Sequence, residues 1–233
     1  MSDATRIALV GATGLVGRSV MRIAVGREDM ALTGVARREA PLPPGAKMEL
    51  FVAEPAKWGE VFEAVRPDAL ICALGTTWRK AGESEAMFRA VDHDLVLETA
   101  HAAHANGVTR MVAVSSVGAS LASRSFYLRV KAEMERDLST VGFQRLDILQ
   151  PGLLRGEREA DRRLKERAAI FVSPLADFLL HGRLRPYRSI RAEDVAKAAL
   201  FLAKKTMRGR YTHDNDGIRR AAQSLSQPDG GGR

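Results

Sequence analysis

The sequence predicts an α/β fold, a doubly wound parallel sheet with helices on both faces. Short apolar segments alternate with longer segments of helical periodicity, as in consecutive βαβ units. Several apolar segments are continuous, as in Ala69–Leu74, which indicates strands that are buried on both faces of the sheet. The 233 residues suit one large domain with a sizeable core. We therefore expect a single domain with a small C-terminal lobe.

The sequence predicts six strands and five helices. The strand candidates are short and apolar: Ile7–Val10, Ala31–Ala36, Met48–Val52, Ala69–Leu74, Arg110–Ser115 and Arg145–Leu149. The helix candidates have apolar residues at helical spacing: Leu15–Val25, Trp58–Val65, Glu85–Ala105, Ser125–Thr140 and about Ala192–Lys204. After Pro151 the regular alternation stops, and a charged segment (Arg155–Arg167) and a short apolar stretch (Ala169–Leu180) follow.

The charge balance favours an anionic ligand but does not identify it. The formal net charge is +8, which could attract nucleic acid, an acidic membrane surface or a phosphorylated small molecule. The basic residues are scattered, and neither zinc-finger spacing nor an aromatic-rich RNA-binding signature is present. Direct nucleic-acid binding is therefore disfavoured, and a small-molecule ligand is preferred.

Cysteine content and hydropathy restrict the class of protein further. The single cysteine, Cys72, excludes an internal disulfide and a multi-cysteine metal site, and its apolar strand predicts an inert core thiol. No apolar run approaches the roughly 20 residues that a membrane span needs. The first six residues have no signal-peptide pattern. These features predict a soluble cytoplasmic protein.

A glycine-rich loop follows the first strand and opens the first helix. Its sequence is Gly11-Ala12-Thr13-Gly14-Leu15-Val16-Gly17. In such loops the first glycine permits the tight turn, the second lets the backbone approach a pyrophosphate, and the third allows close packing of helix and strand. The N–H groups at the helix start then face the anion. We therefore predict a dinucleotide site that includes Gly11, Thr13, Gly14, Leu15, Val16 and Gly17.

The end of the second strand indicates which dinucleotide is bound. An acidic residue at this position would bind the ribose 2′-hydroxyl and select NAD. The sequence instead has Arg37-Arg38, with Glu39 following. Two guanidinium groups favour a 2′-phosphate and hence NADP(H), unless both merely solvate a loop.

A phenol and an ammonium group lie four residues apart on a predicted helix. Tyr127 and Lys131 therefore share one face, about one turn apart. A nearby ammonium favours the phenolate and makes the phenol a better acid–base catalyst. Ser115 and Ser116 end the preceding strand, where a hydroxyl could meet a substrate carbonyl oxygen beside Tyr127. This combination predicts a proton-transfer site.

These motifs together resemble the short-chain dehydrogenase/reductase superfamily over nearly the whole chain. More narrowly, Cys72–Thr77, Val91–Asp94, Phe126–Lys131 and Gln150–Leu154 are similar to the atypical branch that contains the HIV Tat-interacting oxidoreductase. The resemblance implies a Rossmann fold that binds NADPH. Because the sequence shows no repeat and no interdomain linker, we expect one domain with a dinucleotide-binding core (residues 1–150), a substrate lobe with closing elements (151–226) and a disordered tail (227–233).

The resemblance also implies roles for individual residues. Tyr127 would protonate the substrate oxygen, Lys131 would hold the nicotinamide ribose, and Ser116, or less favourably Ser115, would bind the carbonyl. The remaining cofactor contacts would come from Ala73, Leu74 and Gly75 on the adenosine side, from Ser115, and from Pro151, Gly152 and Leu154 beside the nicotinamide. Two positions depart from the superfamily pattern: the helix asparagine that relays protons is replaced by Asp92, and the usual arginine before Pro-Gly is Gln150.

The leading interpretation is an NADPH-dependent oxidoreductase that acts on a small carbonyl substrate. The alternative is a non-catalytic NADPH-binding regulator or scaffold. An epimerase or dehydratase with tightly held NAD is disfavoured by Arg37-Arg38. A homodimer and a regulatory protein partner both remain open.

Two further groups of residues have competing interpretations. His101 and His104 are three residues apart on a predicted helix with Glu98 one turn earlier, but no further ligand of convincing spacing follows, so no metal site is predicted. The residues after the fourth strand, Trp78-Arg79-Lys80, either line the substrate entrance or form a solvated loop.

Overall fold

The computed structural model describes residues 4–156 and 187–226, and a parallel sheet runs through this part of the chain. Its strands, in spatial order β3-β2-β1-β4-β5-β6-β9, are Glu49–Val52, Met30–Ala36, Thr5–Val10, Ala69–Cys72, Arg110–Val114, Arg145–Leu149 and Gly209–His213. Two short strands, β7 (Leu154–Arg155) and β8 (Ile190–Arg191), pair in parallel outside this sheet. The helices are α1 (Leu15–Ala24), α2 (Trp58–Val65), α3 (Glu85–Arg89), α4 (Leu95–Ala105), α5 (Phe126–Leu138), α6 (Ala192–Ala203) and α7 (Asn215–Ser226).

Helices cover both faces of the sheet, so the predicted doubly wound α/β fold is confirmed. Alternate residues of the central strand β1 enter different cores. Ile7 and Leu9 pack in the layer formed with α1, α6 and α7, whereas Ala8 and Val10 pack in the layer formed with α2, α4 and α5. Burial on both faces explains why the strands are continuously apolar rather than alternating.

The six predicted strands are all present, with bounds within a few residues of the prediction. The predicted helix Glu85–Ala105 differs, because a π-helical turn at Ala90–Asp94 separates α3 from α4. This π turn spans only five residues between two helical segments, too few to show a periodicity of their own, so the sequence pattern predicts one continuous helix. This turn places Asp92 in the interior, where it is 1% exposed.

The C-terminal part of the chain completes the sheet with elements that the sequence did not predict. Strand β9 pairs in parallel with β6, from Arg145↔Gly209 to Leu149↔His213, and α7 follows it directly. The strand escaped prediction because it is half exposed and carries Arg210 and Thr212 in place of a continuous apolar run. Most of the charged segment, the apolar stretch Ala169–Leu180 and the tail 227–233 lie outside the described residues.

A buried cluster of Arg145, Asp147 and His213 connects β9 to its neighbour β6. The guanidinium of Arg145 pairs with both carboxylate oxygens of Asp147, at 2.6 and 2.9 Å, and His213 Nε2 lies 2.7 Å from Asp147 Oδ1. Removing one partner of such a buried pair leaves an uncompensated charge, which is strongly destabilising. The cluster therefore fixes the register of the last strand.

In the part of the chain that the structure describes, no helix is both long enough and apolar enough to cross a membrane.

Candidate active site

The glycine-rich loop joins β1 to α1 at the carboxyl edge of the sheet, and two of its glycines are required by the protein's own packing. Gly11 has a φ of +89°, and a Cβ there would lie 2.5 Å from the carbonyl group of Ala73. A Cβ on Gly17 would lie 2.2 Å from the carbonyl oxygen of Gly11. The first and third glycines therefore let the loop, β4 and α1 pack closely.

Gly14 is different, because a Cβ there would meet no protein atom closer than 3.3 Å. Gly14 is exposed and occupies the N-cap position of α1. No side chain hydrogen-bonds to this helix end, and the first turn has no acidic residue. The N–H groups that begin a helix lack intrahelical acceptors and attract anions. The loop thus fits the pyrophosphate of a dinucleotide, with Thr13 and Gly14 exposed and Leu15 half-buried beside them.

Arg37 and Arg38 follow β2 directly and are both exposed. Among the described residues neither side chain takes part in a hydrogen bond or an ion pair. Strand β2 pairs with β1 up to Val10↔Val35, so the two guanidinium groups lie at the same edge of the sheet as the glycine-rich loop. They are therefore free to bind an anionic group of a dinucleotide.

Ala73, Leu74 and Gly75 leave β4 beside the glycine-rich loop. The N–H of Ala73 donates to the Val10 carbonyl at 2.9 Å, which extends the pairing of β4 with β1 to the start of the loop. A Cβ on Gly75 would lie 3.4 Å from Asp92 Oδ1 and 3.9 Å from Lys131 Nζ. The turn after β4 therefore lies directly against the predicted lysine of the proton-transfer site.

Lys131 lies on α5 with its side chain 5% exposed, and its ammonium is 2.8 Å from Asp92 Oδ1. Burial lowers the pKa of Lys131, but the charges of Asp92 and Tyr127 and the hydrogen bond that Lys131 donates to Asp92 outweigh it, so the pKa is raised overall. Lys131 therefore remains an ammonium. Tyr127, one turn earlier, is 37% exposed, so its phenol is accessible to a substrate.

The two serines at the end of β5 have different surroundings. Ser115 is buried and donates its hydroxyl proton to Glu135 on α5. Ser116 is half-buried, and within the described parts of the chain its hydroxyl makes only a long 3.4 Å contact with the carbonyl of the adjacent Val117. The hydroxyl of Ser116 is therefore the one that is available to a ligand.

Glu135 was missed by the sequence analysis, although it lies four residues after Lys131 on the same helix face. Gln150 Nε2 lies 3.0 and 2.9 Å from its two carboxylate oxygens. Burial raises the pKa of Glu135, although the hydrogen bonds from Ser115 and Gln150 lower it in part. Gln150, where the superfamily has arginine, thus joins the end of β6 to α5. The spacing of Tyr127, Lys131 and Glu135 is the signal that could have identified this carboxylate.

Pro151 and Gly152 are buried immediately after β6, and Asn215 holds them in place. The Pro151 carbonyl accepts from the N–H of Val117 at 3.0 Å, which links this loop to the one that follows β5. The Gly152 N–H donates to Asn215 Oδ1 at 2.8 Å, and Asn215 Nδ2 donates to the Arg188 carbonyl. No motif in the sequence marks Asn215.

The loop after β6 also approaches the glycine-rich loop. A Cβ on Gly156 would lie 2.7 Å from a methyl group of Leu15, and Leu154 is half-buried nearby in the chain. The residues predicted to border the two ends of a dinucleotide therefore lie along one edge of the sheet.

An aromatic cluster supports the tyrosine. The ring of Phe88 lies 5.4 Å from that of Tyr127 and 6.0 Å from that of Phe126, and Phe126 in turn contacts Trp78 edge-on at 6.2 Å. Trp78 is 43% exposed. Trp78 thus packs beside the start of α5, whereas Arg79 and Lys80 are exposed.

Two other groups that the sequence analysis weighed have packing roles. Cys72 is fully buried at the end of β4, and burial raises the pKa of its thiol to about 11, so the thiol stays protonated. His104 packs edge-on against Phe143, with ring centroids 5.4 Å apart.

A protein family and several named proteins match most of this chain. The profile of a family described as NAD(P)H-binding matches residues 11–205. The protein named fmp52, mitochondrial, of Emericella nidulans is 32% identical over 210 residues, covering 87% of this chain and 89% of its own. FMP52, mitochondrial, of Candida albicans is 34% identical over 207 residues, covering 86% and 89%.

Solved structures of low identity share the fold. MoeE5 in complex with UDP-glucose and NAD has a TM-score of 0.66 at 15% identity, covering 95% of this chain and 82% of its own. The enzyme WbmG of Bordetella bronchiseptica in complex with NAD has a TM-score of 0.66 at 14% identity, covering 96% and 78%.

The comparisons correct one prediction. The expectation of a cytoplasmic protein is wrong, because the curated relatives are named mitochondrial. The expectation was based in part on the lack of a secretory signal pattern. The absence of that pattern carries no information about targeting to mitochondria, which uses a different kind of segment.

The glycine-rich loop, the parallel sheet and the matched profile lead to one conclusion: the chain belongs to the NAD(P)H-binding family of Rossmann-fold proteins.

Proposed function

We propose that this protein is an NADPH-dependent oxidoreductase that reduces a small carbonyl substrate. The observation that carries the proposal is that α5 presents the exposed Tyr127 one turn before the buried ammonium of Lys131. A non-catalytic nucleotide-binding protein would not need an accessible phenol next to a lysine of this kind. The family match supports nucleotide binding, and the residues of α5 support chemistry.

The chain's own groups account for proton transfer in this proposal. When bound, NADPH would supply the hydride. Tyr127 donates a proton to the substrate oxygen as negative charge develops there, and the Ser116 hydroxyl hydrogen-bonds the same oxygen. Lys131 keeps a positive charge beside the phenol and binds the ribose hydroxyls of the cofactor. These roles are those that the sequence analysis assigned to Ser116, Tyr127 and Lys131.

The cofactor contacts follow the edge of the sheet. We assign the pyrophosphate to Gly11, Thr13, Gly14, Leu15, Val16 and Gly17, the adenosine side to Ala73, Leu74 and Gly75, and the nicotinamide side to Ser115, Pro151, Gly152 and Leu154. Arg37 and Arg38 bind the 2′-phosphate, which makes NADPH the preferred cofactor. Residues 1–150 form the dinucleotide-binding core, and residues 151–226 supply the substrate lobe and the strand and helices that close the sheet.

The second candidate function is an NADPH-dependent regulator or scaffold with a protein partner. It is favoured by Asp92, whose two carboxylate oxygens are both engaged inside the protein, so that the proton relay of the superfamily has no free group at this position.

A panel of aldehydes and ketones tests the proposal, with NADPH oxidation followed by absorbance. For any substrate found, Tyr127→Phe should lower turnover by about 10²–10⁴-fold while NADPH binding stays nearly unchanged, because the ring still packs but no proton is donated. Tyr211→Phe is the matched control, since the Tyr211 hydroxyl bonds the Arg208 carbonyl in another part of the sheet. Equal turnover by the Tyr127 variant would refute the mechanism, and tight NADPH binding without turnover on a broad panel would favour the regulator.

A further inference from the structure

Asp92 is the most deeply buried acidic group near the proposed cofactor site. It lies on the π-helical turn between α3 and α4, a local geometry that is frequent at functional sites. Its two carboxylate oxygens have different partners: Oδ1 is 2.8 Å from Lys131 Nζ, and Oδ2 accepts the backbone N–H of Thr76 at 2.7 Å. One side chain thus joins α5 to the turn that follows β4.

We propose that Asp92 is a positioning residue that fixes Lys131 and the Gly75–Thr76 turn together for cofactor binding. The inference rests on the proposed function, which assigns Lys131 to the nicotinamide ribose and Gly75 to the adenosine side. Asp92 touches neither the substrate nor the cofactor in this proposal. It acts by holding the two groups that do.

The chemistry of the two partners explains why the residue is an aspartate. Lys131 and the Thr76 N–H are both hydrogen-bond donors, and a carboxylate offers each of them an acceptor oxygen. An asparagine has one acceptor oxygen and one NH₂ group. Its NH₂ group would face one of the two partners, and two donors cannot form a hydrogen bond with each other. Replacement of the superfamily's relay asparagine by Asp92 is therefore a change of role, from proton relay to double acceptor.

The charges around Lys131 support the same conclusion. Asp92 faces the ammonium from the π turn, Tyr127 and Glu135 face it from α5, and the thiol of Cys72 faces it from β4. The thiol stays protonated because burial raises its pKa to about 11. Asp92 is the group that is in direct contact with the ammonium, so it provides the charge that keeps buried Lys131 protonated.

The test compares Asp92→Asn with Asp94→Asn. Both variants neutralise a carboxylate of the same turn, but Asp94 is exposed and contacts His93. In Asp92→Asn we expect NADPH affinity, measured by calorimetry, to fall at least about tenfold. We also expect the pKa of Lys131, followed by NMR of the ¹⁵N-labelled lysine side chain, to fall, because the contact with Asp92 helps to raise it. Asp94→Asn should leave both quantities close to those of the wild type.

The two measurements separate this inference from the proposed function. If the wild-type protein fails to bind NADPH, the proposed function is wrong, and the titration of Lys131 alone still tests the role of Asp92. A folded Asp92→Asn protein with unchanged NADPH affinity and an unchanged Lys131 titration would overturn the inference.

A second pair of variants covers the case in which Asp92→Asn does not fold. Lys131→Met leaves the buried carboxylate of Asp92 without its cation, so the free energy of unfolding at neutral pH should fall below that of the wild type. Adding Asp92→Asn to Lys131→Met should restore stability, because the uncompensated carboxylate is then removed. A double variant no more stable than Lys131→Met at neutral pH would contradict the proposal.

Discussion

Ser115 donates a hydrogen bond from its hydroxyl to Glu135, whereas the hydroxyl of the adjacent Ser116 has no carboxylate partner among the residues that the structure describes. Two serines that are equivalent in the sequence are therefore different in the structure. Ser115 links the end of β5 to α5, where Glu135 also receives Gln150 from the end of β6. The relationship favours Ser116 as the residue that binds a substrate carbonyl.

The first prediction separates these two serines. Ser116→Ala should lower turnover of a carbonyl substrate by about 10²-fold or more, with little change in the free energy of unfolding, since a single donor to a developing oxyanion contributes about that much. Ser115→Ala should instead lower the free energy of unfolding by about 1–3 kcal/mol, because it removes a donor from a half-buried carboxylate. Urea unfolding and steady-state rates, measured on both variants, show which serine contributes to turnover and which to stability. The reverse pattern would assign the catalytic role to Ser115.

The second prediction concerns the glycine-rich loop. Gly14→Val should fold and lose NADPH binding, because its side chain would occupy the space that the pyrophosphate needs. Gly17→Ala should instead destabilise the protein by about 1–3 kcal/mol, because its Cβ would overlap the Gly11 carbonyl. Calorimetric titration with NADPH and thermal unfolding distinguish the two effects. A folded Gly14→Val protein with wild-type affinity would disprove the pyrophosphate site.

The third prediction concerns the choice of cofactor. The wild-type protein should bind NADPH at least ten times more tightly than NADH, a difference of about 1.4 kcal/mol. Because Arg37 and Arg38 are exposed, the preference should weaken as salt is added. Replacing both with alanine should remove most of it. Arg66→Ala, which changes an exposed arginine after α2, is the control. Equal affinities of the wild-type protein for the two cofactors would contradict the assignment of these arginines.

Much of the fold could be predicted because its signals are local. The βαβ alternation identified six strands, and burial on both faces made them continuously apolar, as in Ala69–Cys72. Strand β9 carried no such signal, because half of its residues are exposed and its place is fixed by the buried contact of His213 with Asp147 on β6. Its pairing depends on contacts 66 residues apart in sequence.

The residues of the candidate site also fall into two groups, those marked by a local sequence pattern and those placed by contacts distant in sequence. The glycine spacing and the Tyr127–Lys131 spacing are local and marked their residues directly. Asn215 is paired with Gly152 across 63 residues, and no local pattern points to that contact. The partners of Asp92 were likewise not readable, because Thr76 and Lys131 lie on other elements, the first of them 16 residues away in sequence.

The fourth prediction uses the pH dependence of stability at Glu135. Burial raises the pKa of this carboxyl above its ordinary value of 4.5, so the folded protein holds the proton more tightly than the unfolded chain does. The stabilisation from the protonated carboxyl is therefore fully present below about pH 4.5 and is lost as the pH rises through the folded-state pKa.

Glu135→Gln keeps the size and polarity of the side chain but cannot ionise. The free energy of unfolding of the wild type, relative to Glu135→Gln, should thus decrease from about pH 4 toward neutrality and then level off. Urea unfolding at a series of pH values measures this difference, and Glu63→Gln, on the exposed side of α2, provides the baseline. A wild-type protein that gains stability over Glu135→Gln as the pH rises would mean that the hydrogen bonds from Ser115 and Gln150 outweigh burial. Glu135 would then anchor the two strand ends as a carboxylate throughout the physiological range.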